Sequence, residues 1–212
     1  QFYMSSTAWG LRQLLMRVYK LHKKYGKTFF YHNHSYFNPV CHTFTDYFYP
    51  GEQYCRGMAK YKHFYCDGIT PEEYQSELNS VIKGVGLVFL PQYGRAATML
   101  TTLKNMQNEF KTNPEWTLRL LTPIILHDLN ISASWCDRKT TIPKWWNIKD
   151  SIHLENAKFS GYWNNPGVSS GSPQVYASVY AWEKPEPYKY LIVVSNLGRK
   201  EQKLSLNIDD SR

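Results

Sequence analysis

The stretch TPEEYQSELNSVIKGVGLVFLP, from Thr70 to Pro91, sets the fold class. Thr70 offers an N-cap hydroxyl, Pro71 sits at the first helical position, and Glu73 lies three residues after the cap. The helix they predict runs to near Ile82, and Gly84 and Gly86 break it. Gly86-Leu87-Val88-Phe89-Leu90 then reads as a buried strand, stopped by Pro91. Helix, glycine break and buried strand form the αβ half of a repeating β/α unit.

The same pattern extends on both sides. Upstream, Leu11, Leu14, Leu15, Val18 and Leu21 fall at helical spacing, the helix ends at Lys23-Lys24, and Gly26 is its natural C-cap. A β-prone run from Lys27 follows, with a strand near Thr28–Tyr31, and turns polar at His32-Asn33-His34. Downstream, Met99, Leu100, Leu103, Met106 and Phe110 predict a helix from Ala96 to Phe110, and Asn113-Pro114-Glu115 starts a short one. Pro123-Ile124-Ile125-Leu126 is a strand or the end of a helix, since four apolar residues are too few for periodicity to decide.

Past residue 150 helical spacing gives way to β-prone segments at Ala157–Trp163, Gln174–Glu183, Tyr188–Ser195 and Gln202–Ile208. Turn chemistry separates them at Asn164-Asn165-Pro166-Gly167, Lys184-Pro185-Glu186-Pro187 and Asn196-Leu197-Gly198. The expectation is an α/β chain: the last few units of a (β/α) barrel over residues 1–150, then a small antiparallel β-sandwich over 151–212. Three β/α units cannot close an eight-stranded barrel. The remainder of the barrel is therefore expected from the same precursor or from another chain.

Composition narrows the partners. Formal net charge is +8, but no Lys/Arg block dominates, so the charge is spread rather than arranged as a nucleic-acid stripe. No apolar run is long enough to span a membrane. Aromatic residues make up 16% of the chain, which suits carbohydrate, whose C–H faces stack on rings, as well as core packing. The four cysteines include no C-x-x-C pair, so a thiolate zinc site is not expected. Cys41, Cys55 and Cys66 share one loop-rich stretch and are candidates for a disulfide. Sequons at Asn33 and Asn130 mark candidate glycosylation sites, and with the cysteines they point to a secreted protein.

Candidate chemistry lies after the predicted strands, where β/α proteins build their sites. His32 and His34 end the first strand, Tyr93 follows the middle one, and His127 and Asp128 follow the Pro123–Leu126 run. These four polar positions other than Asp128 are candidate substrate-binding residues. A long aromatic loop after the first strand carries Asp46 and Glu52, which with Asp128 are the candidate catalytic carboxylates. His32 and His34 could hold a metal, but no third ligand accompanies them, so neither metal nor cofactor is expected. Each residue also has a structural reading: hydrogen-bonding histidines, a turn-capping Asp46, a solvated Glu52, and Trp135, Trp145 and Trp146 in cores.

The run from His42 to Tyr54, HTFTDYFYPGEQY, resembles a motif of glycoside hydrolase-like proteins related to glycoside hydrolase family 123. Leu126-His127-Asp128 and the segment Tyr190–Gly198 are similar to positions of that family as well. The resemblance spans about Leu11 to Asp209. It implies a β/α barrel followed by a β-sandwich and hydrolysis of glycosidic bonds at N-acetylhexosamine residues. Related enzymes resemble substrate-assisted catalysts that use adjacent Asp and Glu. No Asp-Glu dipeptide occurs in this sequence, which leaves a catalytically silent glycan-binding or scaffold protein as the alternative.

Overall fold

A computed structural model of the chain describes residues 2–32, 38–54, 68–79, 84–91, 111–165, 167–184 and 188–209; the side chains of residues 2–6, 40 and 41 lie outside the description. The chain is a mixed α/β protein with a parallel four-stranded sheet and two antiparallel sheets. Helix α1 (Phe2–Lys24) comes first, then β1 (Phe30–His32), α2 (Pro39–His42) and β2 (Tyr47–Tyr49). Helix α3 (Pro71–Leu78), β3 (Gly86–Phe89), α4 (Pro114–Leu126), β4 (Asn130–Ile131) and α5 (Thr141–Ser151) follow.

Local chemistry explains the element ends. Gly26 at φ +63° closes α1: its N–H donates to the Lys23 carbonyl, and the Lys27 N–H donates to that of His22. Helix α3 opens on a reciprocal capping box, with the Glu73 N–H on the Thr70 hydroxyl and the Thr70 N–H on the Glu73 carboxylate. Asn113 caps α4 by accepting from the Glu115 N–H. Helix α5 has its anchor further upstream. Asp137 accepts from the N–H groups of Lys139, Thr140 and Thr141 and from both threonine hydroxyls. Burial alone would raise the Asp137 carboxyl, but these bonds outweigh it and hold it below the usual carboxylate range.

Of the two readings of Pro123–Leu126, strand or helix end, the structure has the second: it is the last turn of α4, Pro123 sits inside the helix, and the strand that follows is Asn130–Ile131. The long loop after β1 contains a strand of its own, Tyr47–Tyr49, too short and too aromatic to stand out from its surroundings. The helix expected at Ala96–Phe110 lies outside the described residues.

All four strands are parallel and adjacent in sequence order, β1-β2-β3-β4, with Phe30 opposite Tyr47, Phe48 opposite Leu87 and Phe89 opposite Ile131. The two faces differ sharply. Phe48, Leu87 and Phe89 share one face and are buried. Phe89 belongs to a core with Tyr74 and Leu78 of α3, Leu120 and Ile124 of α4, and Ile142 of α5. The opposite face leaves Phe30 57% and Tyr47 37% exposed, their rings stacked at 4.6 Å.

The second half begins with β5 (Lys158–Ser160) and β6 (Val168–Ser169), followed by β7 (Val175–Ala181), β8 (Tyr190–Asn196) and β9 (Asn207–Ile208). Strands β5, β7 and β8 form one antiparallel sheet, and β6 pairs with β9. One face of β7 and β8 lies on the C-terminal half of α4. The Ser178 hydroxyl donates to the Leu126 carbonyl (2.8 Å), that of Tyr180 to Ile125 (3.0 Å) and that of Ser195 to Thr122 (3.4 Å). A helix leaves its last four carbonyls without intrahelical partners, and here the neighbouring sheet supplies donors to two of them, those of Ile125 and Leu126.

Candidate functional site

At the C-terminal ends of β1 and β2, His32 stands opposite Tyr49 in register. The His32 Nδ1–H donates to the Tyr49 carbonyl (2.7 Å), which fixes the tautomer and turns Nε2 toward Glu52, 3.6 Å from Oε1. The imidazole side chain is 39% exposed and the Glu52 side chain only 9%. The pair thus joins a solvent-facing ring to an enclosed carboxyl.

The backbone around Glu52 is built for this placement. Gly51 has φ +149°, and a Cβ there would stand 1.9 Å from the Leu90 carbonyl oxygen. Only glycine lets the chain pass so close to the end of β3. The Leu90 N–H donates to the Pro50 carbonyl (2.8 Å), the Gly51 N–H donates to Gln53 Oε1, and a 3-10 turn over Glu52–Tyr54 begins at once. Tyr54 closes the turn by entering the core beside Phe89. Pro50-Gly51 is the sequence signal for this device, although neither residue carries chemistry.

The other two carboxylates lie elsewhere. Asp46 and Asp128 precede β2 and β4, whereas Glu52 follows β2, so in a parallel sheet they belong to the opposite edge. Asp46 accepts from the Phe29 N–H (2.8 Å) and pairs with Lys23 (2.6 Å), which holds its carboxyl below the usual range. Asp128, at φ +54° between α4 and β4, accepts from the Tyr180 hydroxyl (3.1 Å). Burial raises its carboxyl, against the Tyr180 bond and the charge of Lys149. The candidate carboxylates Asp46 and Glu52 therefore lie at the two ends of β2.

His127 is fully buried. Its ring stacks with Tyr74 at 5.2 Å and Trp163 at 5.6 Å, Nδ1–H donates to the Pro123 carbonyl (2.7 Å), and Nε2 lies 3.3 Å from the Tyr162 hydroxyl. Burial pushes its pKa down to about 4, despite the favourable carbonyls of Pro123 and Pro71. It caps a helix inside an aromatic box. His42 is the comparable residue near β2, stacked on Phe48 at 4.6 Å and also lowered to about 4 by burial.

His34, Asn33, Tyr93, Cys55 and Cys66 lie outside the described residues, as does the side chain of Cys41. Cys136 is a free, buried thiol, pushed up to about 12 by burial and by the neighbouring charge of Asp137. Asn130 is exposed at the start of β4. Trp145 packs against both hydrophobic clusters, while Trp146 is half exposed and Trp135 has the Lys111 ammonium 4.4 Å from its ring centre.

Two grooves lie on the surface, the first of them apolar. One of about 670 Å³ runs between α4, α5 and β8, past Leu118, Ile148 and Val194. A smaller one of about 350 Å³ lies against the open sheet face, lined by Phe30, Tyr47, Val88, Asn130 and Trp146. Among the described residues no group of three or more His, Cys, Asp or Glu could hold a metal ion, and no helix is long and apolar enough to cross a membrane. Comparison with protein-family models, curated proteins and solved structures gives no match.

Proposed function

We propose that this chain is a glycoside hydrolase-like, carbohydrate-active protein in which Glu52 is the acid and His32 orients it. The observation that carries the reading is the enclosed Glu52 carboxyl, 3.6 Å from an imidazole, just past the end of a parallel strand. Sites of β/α proteins form at that end of the strands. A carboxyl shielded from water can protonate a glycosidic oxygen, the step that glycoside cleavage requires of one of its two carboxylates. Successive parallel strands in sequence order are also how β/α units add to a barrel. We read the parallel sheet as part of such a barrel, the antiparallel sheets as a β-sandwich, and N-acetylhexosamine-containing extracellular glycans as the ligands. In this reading the protein is secreted, and the missing barrel strands come from the same precursor or another chain.

A specific observation also favours the silent, glycan-binding alternative. Among the described residues neither Asp46 nor Asp128 shares the edge that Glu52 occupies, and a glycosidase needs a second carboxylate or a substrate acetamido group there. The test is a panel of aryl N-acetylhexosaminides and chitooligosaccharides, read by release of the aryl group and by calorimetry. Hydrolysis that Glu52→Gln reduces by about 100-fold or more, at an unchanged unfolding midpoint, supports the enzyme. Binding without hydrolysis supports the silent relative. Neither binding nor hydrolysis across the panel overturns both.

A further inference from the structure

We infer that the outward face of α1 docks on a bilayer of anionic phospholipid. The inference is independent of the assignment of Glu52 and of the glycan reading. Six Lys or Arg residues, from Arg12 to Lys27, precede Asp46, the first acidic residue of the chain. Two of the six are engaged with the body of the protein: Lys23 pairs with Asp46, and the Arg12 guanidinium lies 4.7 Å from the Phe44 ring centre. Leu15, Tyr19 and His22 share that inner side, with Leu15 buried, Tyr19 beside Phe44 and His22 beside Phe29. Arg17, Lys20 and Lys24 leave the helix on the other side and are exposed. Steps of three and four residues separate them, which sets them in one row along the helix.

Charge and shape select the occupant. Leu14 and Leu21 form a second row beside the cations, Leu14 one turn before Arg17 and Leu21 one turn before Lys24. Trp9 stands about three turns before Lys20 on the same side, and Tyr25 follows the helix end. Trp9, Leu14, Leu21 and Tyr25 are 60%, 57%, 53% and 66% exposed. A sulfated glycan or a nucleic acid would use the cations and leave the leucines in water. A bilayer uses both. Its phosphate headgroups meet Arg17, Lys20 and Lys24, the leucines enter the acyl boundary, and Trp9 and Tyr25 place amphipathic rings at headgroup level. The segments outside the description between residues 33 and 110 contain six Lys or Arg against two Asp or Glu, so they carry the same sign as this row. The opposite charge that the row calls for is therefore sought outside them.

Flotation of the full chain with lipid vesicles tests the docking. In about 0.1 M salt the chain binds phosphatidylcholine vesicles containing about 30 mol% phosphatidylglycerol about 10-fold or more tighter than phosphatidylcholine alone. Raising the salt to about 0.5 M weakens that binding, because charges are screened over a shorter distance. Arg17→Gln, Lys20→Gln and Lys24→Gln together weaken it by about 100-fold. Leu14→Gln with Leu21→Gln weakens it by about 10-fold or more at either salt concentration. Circular dichroism is unchanged in both variants, because all five side chains are exposed. Lys158→Gln, Lys200→Gln and Lys203→Gln together make the same change in net charge on the antiparallel half, and they alter binding by less than about threefold. Absence of vesicle binding overturns the inference, as does binding that either α1 variant leaves unchanged. Binding to heparin without binding to vesicles also overturns it and makes α1 a site for a soluble polyanion. None of these measurements reads hydrolysis, so failure here is separate from failure of the glycan test.

Discussion

The parallel and antiparallel sheets of this protein are held in place by different means. Strands β1 to β4 are two to four residues long, and the sheet keeps its shape by apolar burial of one face. Strands β7 and β8 pair over seven residues, and their inner face reaches α4 through the hydroxyls of Ser178, Tyr180 and Ser195. The first sheet is a packing problem, sensitive to volume. The second is a hydrogen-bonding problem, sensitive to single polar atoms. An aromatic-rich chain can thus build one region on rings and fasten the next with three hydroxyl groups.

The largest test of that contrast removes volume from the first region. Phe48 is fully buried between β1 and β3 and stacks on His42. Phe48→Ala should cost about 3–5 kcal/mol in a denaturant titration, the range for emptying a buried aromatic site. A cost below about 1 kcal/mol would mean that the parallel sheet does not depend on this packing.

The second test uses acid. His127 and His42 both have a lowered pKa of about 4, against 6.5 for the ordinary residue. As pH falls from 6.5 toward 4 the unfolded chain binds protons that the folded chain refuses, so stability drops across that window. Each histidine contributes on the order of 2–3 kcal/mol, fully lost once pH is below both values. Asp128, raised by burial, works in the opposite direction, so the informative quantity is the difference between wild type and variant. His127→Phe and His42→Phe should each flatten the slope of unfolding free energy between pH 6.5 and 4.5, and together remove most of it. An unchanged slope in either variant would show that this ring is not the group that titrates.

The smallest expected effect belongs to the hydroxyls. Ser178→Ala and Tyr180→Phe each delete one donor to a helix-end carbonyl and leave packing almost intact. Each should cost about 1–2 kcal/mol, with the pair departing from additivity because both act on the same helix turn. If both variants are neutral, the antiparallel sheet is held by packing too, and the contrast between the regions fails.

Much of the fold is legible in the sequence because it is written in local chemistry. Thr70, Pro71 and Glu73 announce α3, Gly26 ends α1, and the alternation of Val175, Ala177, Val179 and Ala181 marks β7. That alternation has a different meaning from the usual one, since the polar Ser178 faces a helix rather than water. The strand at Tyr47–Tyr49 escapes because three aromatic residues carry no period, and Pro123 disguises the last turn of a helix. The site is harder to read. Glu52 meets His32 only because β1 and β2 lie in a particular register and Gly51 lets the loop press against Leu90, and both are relations between distant segments. Asp46 and Asp128 look equivalent to Glu52 in the sequence, and only strand direction assigns them to the other edge.

The end of α4 has a consequence for the order of events during synthesis. Its carbonyls at Thr122, Ile125 and Leu126 find their side-chain donors 73, 55 and 52 residues later in the chain. A nascent chain that has emerged only through α5 holds the final turn of α4 by local donors alone, the N–H groups of His127, Asp128 and Leu129 on the carbonyls of Pro123, Ile125 and Ile124. The hydroxyl donors are added when β7 and then β8 are translated. Contacts so far apart in sequence slow folding, because the intervening chain must be ordered before they form. The helix is thus begun early by Asn113 and Pro114 and finished late by Ser195, which ties the maturation of the first half to the arrival of the second.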